Sequence, residues 1–350
     1  MFNLHNDAIL SSNLTINDVL LVPSKGTVKS REDIKLSPFL MSAPMDTVTG
    51  FSMAKALAAS DYALPVVSRF ISDEELAACF AANLFADVFY AIGSKPGDLE
   101  KFCALLAANT DPSQVVLNLA VDVAHGCTDY MFDYYRHIRS ELPVNRLMSG
   151  SIATGYQAGL VIEAGCDTLR VGIGPGGSCQ TRIKCGVGVP QLTAVYDVFK
   201  TADSYRSKGT EVYVVADGGI KHPGDVVKYL AAGADVCMLG QVFAKAEESP
   251  GWENSPQGLV KYYRGQASRE FQQDTYSIKA KYVEGVQMDK PIRATDAVPV
   301  TEIVSDFEAG LRSALSYMGM DSLSQLNPEN AHFIKITPSG YTEGTPHGNS

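Results

Sequence analysis

Eight short apolar runs recur between Phe39 and Phe243, alternating with stretches of helical spacing. The runs are "FLMSAP", "ALPVVS", "DVFYAIG", "VVLNLAVD", "RLMSGS", "TLRVGIG", "VYVVADGG" and "DVCMLG". Between them lie segments such as "SDEELAACFAANL", "DYMFDYYRHIRSEL", "GYQAGLVIEAG" and "PGDVVKYLAAGA". These carry apolar residues three and four positions apart, and several end in glycine. Such alternation restricts the chain to the α/β class with a parallel sheet. Eight regular units favour a closed (β/α)8 barrel, a TIM barrel; a doubly wound open sheet is the alternative.

A barrel puts functional residues just past the C-terminal ends of its strands. "SAPMDT" follows the first run, "DVAHG" ends the fourth, and "ADGGI" and "MLGQ" end the seventh and eighth. Gly218, Gly219 and Gly240 let backbone approach an anion closely. Each alone is equally well a tight turn; together, at strand ends seven and eight, they read as a phosphate grip.

The sixth run opens into "VGIGPGGSCQTRIKCGVGVP", where Gly172, Gly174 and Gly177 match the dinucleotide-binding spacing. That fingerprint needs a helix opening within it. Pro175 and "KCGVGVP" interrupt any helical run until about Gln191, so the Rossmann reading fails. Cys179 remains, with Thr181 and Arg182 close by. A cysteine nucleophile needs exposure and a field favouring thiolate, which backbone N–H groups and a nearby cation supply. A structural thiol in a tight loop is the plain alternative. His125, at another strand end, is the one candidate base for a Cys–His hydrolase.

The chain has 350 residues, 45% hydrophobic and 19% charged, enough for a large core. A net charge of −10 argues against a nucleic-acid surface. No apolar run is long enough to span a membrane, and no signal peptide is visible at the N-terminus. Seven cysteines without metal-type spacing suit a reducing compartment, and the cytoplasm is the default expectation. Beyond Phe243 the alternation stops. Residues 249–301 are polar and tyrosine-bearing, and read as a partly ordered lid. "VTEIVSDFEAGLRSALSYMG" reads as a final amphipathic helix, followed by the tail "ITPSGYTEGTPHGNS". Residues 1–350 are therefore expected to form a single barrel domain with a C-terminal lid segment.

The stretches "LTINDVLLVPS", "SAPMDTVT", "LRVGIGPGGSCQTRIKCGVGVPQL", "ADGGIKHPGDVVKYLAAGADVCMLG" and "ESPG" closely resemble the inosine monophosphate dehydrogenase and guanosine monophosphate reductase family. The resemblance runs over about residues 10–347. It implies that Cys179 attacks C2 of a purine mononucleotide to form a thioimidate, with hydride passing between C2 and a nicotinamide. By the same resemblance, Ser178, Gly218, Gly219, Gly240, Gln241 and Tyr263 line the 5′-phosphate and Asp217 takes the ribose hydroxyls. Met45 lies near the base, and Gln266, Ala267 and Glu284 lie along its polar edge. Asp122 and Arg170 face the nicotinamide. The backbone carbonyls of Gly174, Gly176 and Cys179 are the implied seat of a potassium ion, and the implied assembly is a homotetramer. Two positions depart from the usual pattern: Ser151 where Asn is common, and Gln241 where Ser or Gly is common.

The two branches of that family differ at C2. A dehydrogenase oxidises IMP with NAD, hydrolyses the adduct with an Arg–Tyr flap, and usually carries an inserted pair of CBS modules after the second strand. A reductase expels ammonia from GMP and reduces C2 with NADPH, using a Thr–Glu pair. The chain passes from second run to third without a CBS insert, "DVAHG" is reductase-like, and the lid is short. "GVGVPQL" and the tail lean towards the dehydrogenase. In "ASREFQ", Glu270 is read as the reductase acid acting with Thr181; alternatively, Arg269 is a flap arginine. The expectation is an NADPH-dependent GMP reductase. The alternatives are a CBS-less IMP dehydrogenase using NAD and a purine nucleotide-binding regulator without turnover.

Overall fold

In a computed structural model, described over residues 3–256, 258–277 and 282–345, the alternation closes into a ring. Its strands are β1 (Leu40–Ser42), β2 (Ala63–Leu64 and Val66–Val67), β3 (Phe89–Ile92), β4 (Leu117–Val121), β5 (Val144–Ile152), β6 (Thr168–Val171), β7 (Tyr213–Asp217) and β8 (Val236–Leu239). All pairings are parallel, and β8 pairs back onto β1 with Cys237 opposite Leu40. Pro65 divides β2, whose first half pairs with β1 and second half with β3. Proline has no N–H to give the ladder, but its carbonyl still accepts the Phe89 N–H at 2.9 Å. The expected (β/α)8 barrel is the observed fold.

The outer layer comprises α1 (Phe51–Ala58), α2 (Asp73–Ala81), α3 (Asp98–Asn109), α4 (Asp129–Glu141), α5 (Gly155–Glu163), α6 (Gln191–Arg206), α7 (Pro223–Ala231) and α8 (Val300–Met318). Ser72, Thr128 and Thr154 cap α2, α4 and α5 through side-chain oxygens that accept backbone N–H bonds. The final amphipathic helix of the sequence is α8. It packs against both α7 and α1, so it completes the barrel's helical ring rather than trailing from it.

Strand periodicity decides what faces inward. Leu169, Val171, Val214 and Ala216 point to the helices, while Met41, Phe89, Ala120, Met148, Val215 and Met238 fill the barrel interior. Two residues further along their strands, the inward positions are no longer apolar: Asp122 follows Ala120 and Asp217 follows Val215. The barrel is greasy below and charged at its C-terminal mouth.

Between β8 and α8 the segment expected to be a lid builds a three-stranded antiparallel sheet from Glu253–Ser255, Gly258–Lys261 and Ile292–Arg293, plus a helix at Arg269–Tyr276. Lid residues 257 and 278–281, and tail residues 346–350, lie outside the described residues. Phe333–Lys335 pairs antiparallel with Val19–Leu21, and Pro338–Glu343 is helical. Among the described residues no helix is long and apolar enough to cross a membrane.

Lys261 anchors the root of this lid. It is fully buried, its ammonium 4.3 Å from the centre of the Trp252 ring, and it donates to the Ser249 hydroxyl and carbonyl. Burial lowers its pKa from 10.5 to about 7. Between those values the unfolded chain binds the proton that the folded chain refuses, so stability rises with pH across that window. Lys261→Met should flatten this rise and stabilise the protein near neutrality by on the order of 1–3 kcal/mol. Denaturant unfolding across the pH series measures it; an undiminished slope in the variant would contradict the assignment.

Candidate active site

The loop after β6 is shaped by glycines and by one arginine. A Cβ on Gly172 would lie 2.2 Å from the Asp217 carbonyl, so only glycine lets the loop leave β6 beside the end of β7. Arg182 lies with its stem against Gly174 and Gly188, donating through Nε to the Ile173 carbonyl at 2.9 Å and through Nη2 to the Val189 carbonyl. The sequence suggested this cation as the source of a thiolate-favouring field. Its hydrogen bonds also make it a strut for the loop, and its charge still acts on Cys179. A short helix, Thr181–Cys185, follows the thiol, where no helical run is expected before about Gln191.

The other wall of the loop comes from far along the chain. Cys179 forms an antiparallel bridge with Gly285. Gln180 N–H donates to the Glu284 carbonyl at 2.6 Å, and Val286 N–H donates to the Ser178 carbonyl at 2.9 Å. Glu284 and Gly285 N–H groups in turn reach the Ala267 carbonyl, at 3.2 and 3.1 Å. This stitching brings three side chains into line. The Cys179 Sγ is 3.2 Å from the Thr181 hydroxyl, and that hydroxyl donates to Glu284 Oε2 at 3.0 Å.

Glu270 is not part of that line. It is exposed, with Arg269, in the first turn of the lid helix. That helix docks elsewhere: buried Phe271 meets Phe70 edge-on at 4.7 Å, and Arg264 ties Asp46, at 2.9 Å, to Asp274 of the helix. The carboxylate behind Thr181 is Glu284, which the resemblance had placed along the base edge. His125 is also exposed, and among the described residues no hydrogen bond joins it to the thiol.

The glycine turns at the ends of β7 and β8 gather around the same loop. Gly218 and Gly219 have φ of +98° and +81°. A Cβ on Gly218 would lie 3.1 Å from the Gly176 nitrogen, and one on Gly240 only 2.6 Å from the Tyr263 hydroxyl. The Gln241 amide oxygen reaches to 3.1 Å from the corresponding point on Gly177. Tyr263 also donates to the Met45 sulfur at 3.5 Å. Burial pushes the Tyr263 hydroxyl up to about 12, with Ser178 beside it pulling the other way. Ser178, Gly218, Gly219, Gly240, Gln241, Tyr263 and Met45 are thus brought together. Ser151 is buried, its backbone paired with Val123 and Gly126.

Across the mouth, Arg170 joins two carboxylates. Its Nη1 donates to Asp122 Oδ1 and its Nε to Asp217 Oδ2, each at 2.8 Å. The second Asp122 oxygen accepts from Gln266 at 2.8 Å and from Arg69 at 3.3 Å; Arg69 carried no signal in the sequence reading. Burial alone would raise the Asp122 carboxyl, but Arg170 and Arg69 more than offset it and hold it below its ordinary value. The same carboxylates hold the Arg170 guanidinium protonated.

Arg170→Met would take the shared cation from two buried carboxylates, leaving Asp122 only Arg69 and Gln266, and would cost about 3–5 kcal/mol. Asp122 stabilises the fold above its unfolded value of about 3.9 and loses that contribution only as pH falls through its lower folded value. The acid-unfolding midpoint of the variant should therefore move upward. An unchanged midpoint would show that the bridge carries no such energy.

The arrangement defines a class: a (β/α)8 barrel whose C-terminal mouth carries a cysteine loop backed by a hydroxyl and a carboxylate. Residues 13–347 match the family model of the IMP dehydrogenase / GMP reductase domain, and the chain belongs to this family. It is 34% identical over 345 residues to a GMP reductase of Enterobacter sp. (strain 638), covering 92% of this chain and 94% of that one. A GMP reductase of Klebsiella pneumoniae is 33% identical over 343 residues with the same coverage. An inosine-5′-monophosphate dehydrogenase of Chlorobaculum tepidum is 37% identical over 270 residues, 73% of this chain. The chain spans about half the length of that dehydrogenase, 51%.

Proposed function

We propose that the protein is an NADPH-dependent GMP reductase, converting GMP, NADPH and two protons into IMP, NADP⁺ and ammonium. The observation that carries this reading is the line from the Cys179 thiol through the Thr181 hydroxyl to the Glu284 carboxylate. Expelling ammonia from C2 requires a proton on a poor leaving group, and a carboxylic acid behind a hydroxyl can relay one. Near-complete coverage of the two reductases, against half of the dehydrogenase, supports the same branch.

In this reading Ser178, Gly218, Gly219, Gly240, Gln241 and Tyr263 hold the 5′-phosphate and Asp217 the ribose hydroxyls. Met45, Gln266 and Ala267 border the base. The Cys179 Sγ forms a bond to C2. Thr181 and Glu284 then deliver a proton to the amino group, the C2–N bond breaks, and ammonia departs. NADPH, when bound, would supply the hydride for C2, and breaking of the carbon–sulfur bond would return the Cys179 thiolate. Asp122 would border the nicotinamide; Arg170, occupied by Asp122 and Asp217, would position those carboxylates. The carbonyls of Gly174, Gly176 and Cys179 are the donors we assign to a potassium ion. The Gly176 carbonyl also accepts the Cys179 N–H at 3.0 Å, so an ion there would brace the turn bearing the thiol.

We further assign residues 1–350 to one barrel unit with 249–301 as lid, a homotetrameric assembly and a cytoplasmic location. The free state of all seven cysteines supports a reducing compartment. The second reading, an NAD-dependent IMP dehydrogenase, draws on the Chlorobaculum relative and on Arg269, which stands exposed on the lid helix.

The test follows reduced-nicotinamide absorbance with GMP plus NADPH and, separately, IMP plus NAD. GMP should be consumed, and Cys179→Ala should abolish turnover while retaining nucleotide binding. Glu284→Gln should slow GMP reduction on the order of a hundredfold or more, with Glu270→Gln close to wild type. Activity with IMP and NAD alone would establish the second reading, and retained GMP binding with no absorbance change would leave a non-catalytic regulator. An active Glu284→Gln beside a dead Glu270→Gln would overturn the assignment of the acid.

A further inference from the structure

We propose that Gln191 is a positioning residue for the thiol loop, pinning the ends of β6 and β7 at the spacing the nucleotide must bridge. Gln191 is the first residue of α6 and only 3% exposed. Its Nε2 donates to the Val171 carbonyl at 2.6 Å and to the Asp217 carbonyl at 3.2 Å. Val171 is the last residue of β6, from which the loop to Cys179 springs. Asp217 is the last residue of β7, from which the Gly218–Gly219 turn springs. One amide therefore joins the two roots of the site.

The chemistry of the side chain argues that these bonds are its purpose. Its Oε1 is buried and has no hydrogen-bond partner among the described residues. A buried acceptor left unpaired is destabilising, and an apolar residue of the same shape would avoid that cost. Packing of α6 does not call for an amide here, because buried Leu192, Ala194 and Val195 already seat the helix. What an apolar residue could not do is hold two carbonyls from different strands.

The same strands are tied a second time from inside the barrel by the Arg170–Asp217 bond. Gln191 is the outer clamp and Arg170 the inner one. The loop root between them is tight, since the Asp217 carbonyl that Gln191 binds is the atom excluding a Cβ at Gly172. This inference rests on the proposed function, in which ribose and phosphate are held from β7 and β8 while the thiol reaches C2 from β6. A small shift between those strand ends would leave the nucleotide bound but spoil the approach of sulfur to carbon.

Gln191→Met should lower kcat for GMP reduction about tenfold or more, with the GMP dissociation constant changed by less than about threefold. Gln191→Glu adds a separate signature. Its carboxylate has no donor and repels both carbonyls, whereas its protonated form regains one O–H. Its kcat relative to wild type should therefore climb as pH falls. A purely structural role would lower the melting temperature and leave kcat per active site unaltered. A Gln191→Met kcat within about twofold of wild type overturns the proposal.

Should neither variant fold, the wild-type protein decides. The Gln191 side-chain amide protons should exchange with solvent on the order of a hundredfold more slowly than those of free glutamine; equally fast exchange overturns the clamp. A wild type that turns over neither GMP nor IMP would fail the functional reading instead, and leaves the exchange measurement to judge the clamp alone.

Discussion

The Arg170 guanidinium is the tie on which the mouth of this barrel depends. It lies between two carboxylates from different strands, and all three groups are largely withdrawn from water. A planar fork can donate in two directions at fixed angles, which a lysine ammonium cannot reproduce. Burying such charges is costly unless each is paired, so the three residues hold one another in place. The ends of β4, β6 and β7 are thereby set relative to each other, and everything above them inherits that spacing.

From β6 the chain passes directly into the cysteine loop, which has too little side-chain bulk to hold its own shape. Two supports compensate. Arg182 braces the loop from below through the Ile173 and Val189 carbonyls. From above, residues 284–286 run alongside it as an edge of extended backbone. The second support also delivers the Glu284 carboxylate to Thr181 across 103 positions of sequence. This segment is therefore part of the loop's support: without it the thiol loop has one wall, and the hydroxyl has no carboxylate behind it.

The barrel was legible because its signals are local. The period of two in "VYVVAD" alone puts Val215 and Asp217 on one face, and glycines mark where strands turn into site. Pro65 interrupts "ALPVVS" without erasing its apolar pattern, so the divided β2 still read as one strand. Cys179, Thr181 and the β7 and β8 glycines likewise lie just past strand ends, a placement the strand pattern alone predicts. What failed were inferences that needed the third dimension. Glu270 follows the lid's Gly-Gln-Ala-Ser stretch, but Phe271 pulls its helix towards Phe70 and leaves Glu270 in solvent. Glu284 reaches Thr181 only because the chain doubles back along the cysteine loop, a pairing that no spacing announces. Arg69 and Gln191 act through bonds to distant strands, and nothing adjacent in sequence marks either.

The central claim is that sulfur of Cys179 bonds covalently to the purine. Acid quenching during GMP turnover, followed by mass spectrometry of the digested protein, tests it directly. The account predicts an added mass equal to the nucleotide less ammonia, confined to the peptide containing Cys179 and absent without GMP. Steady turnover with no adduct at Cys179, or with the label on Cys185 instead, would contradict it.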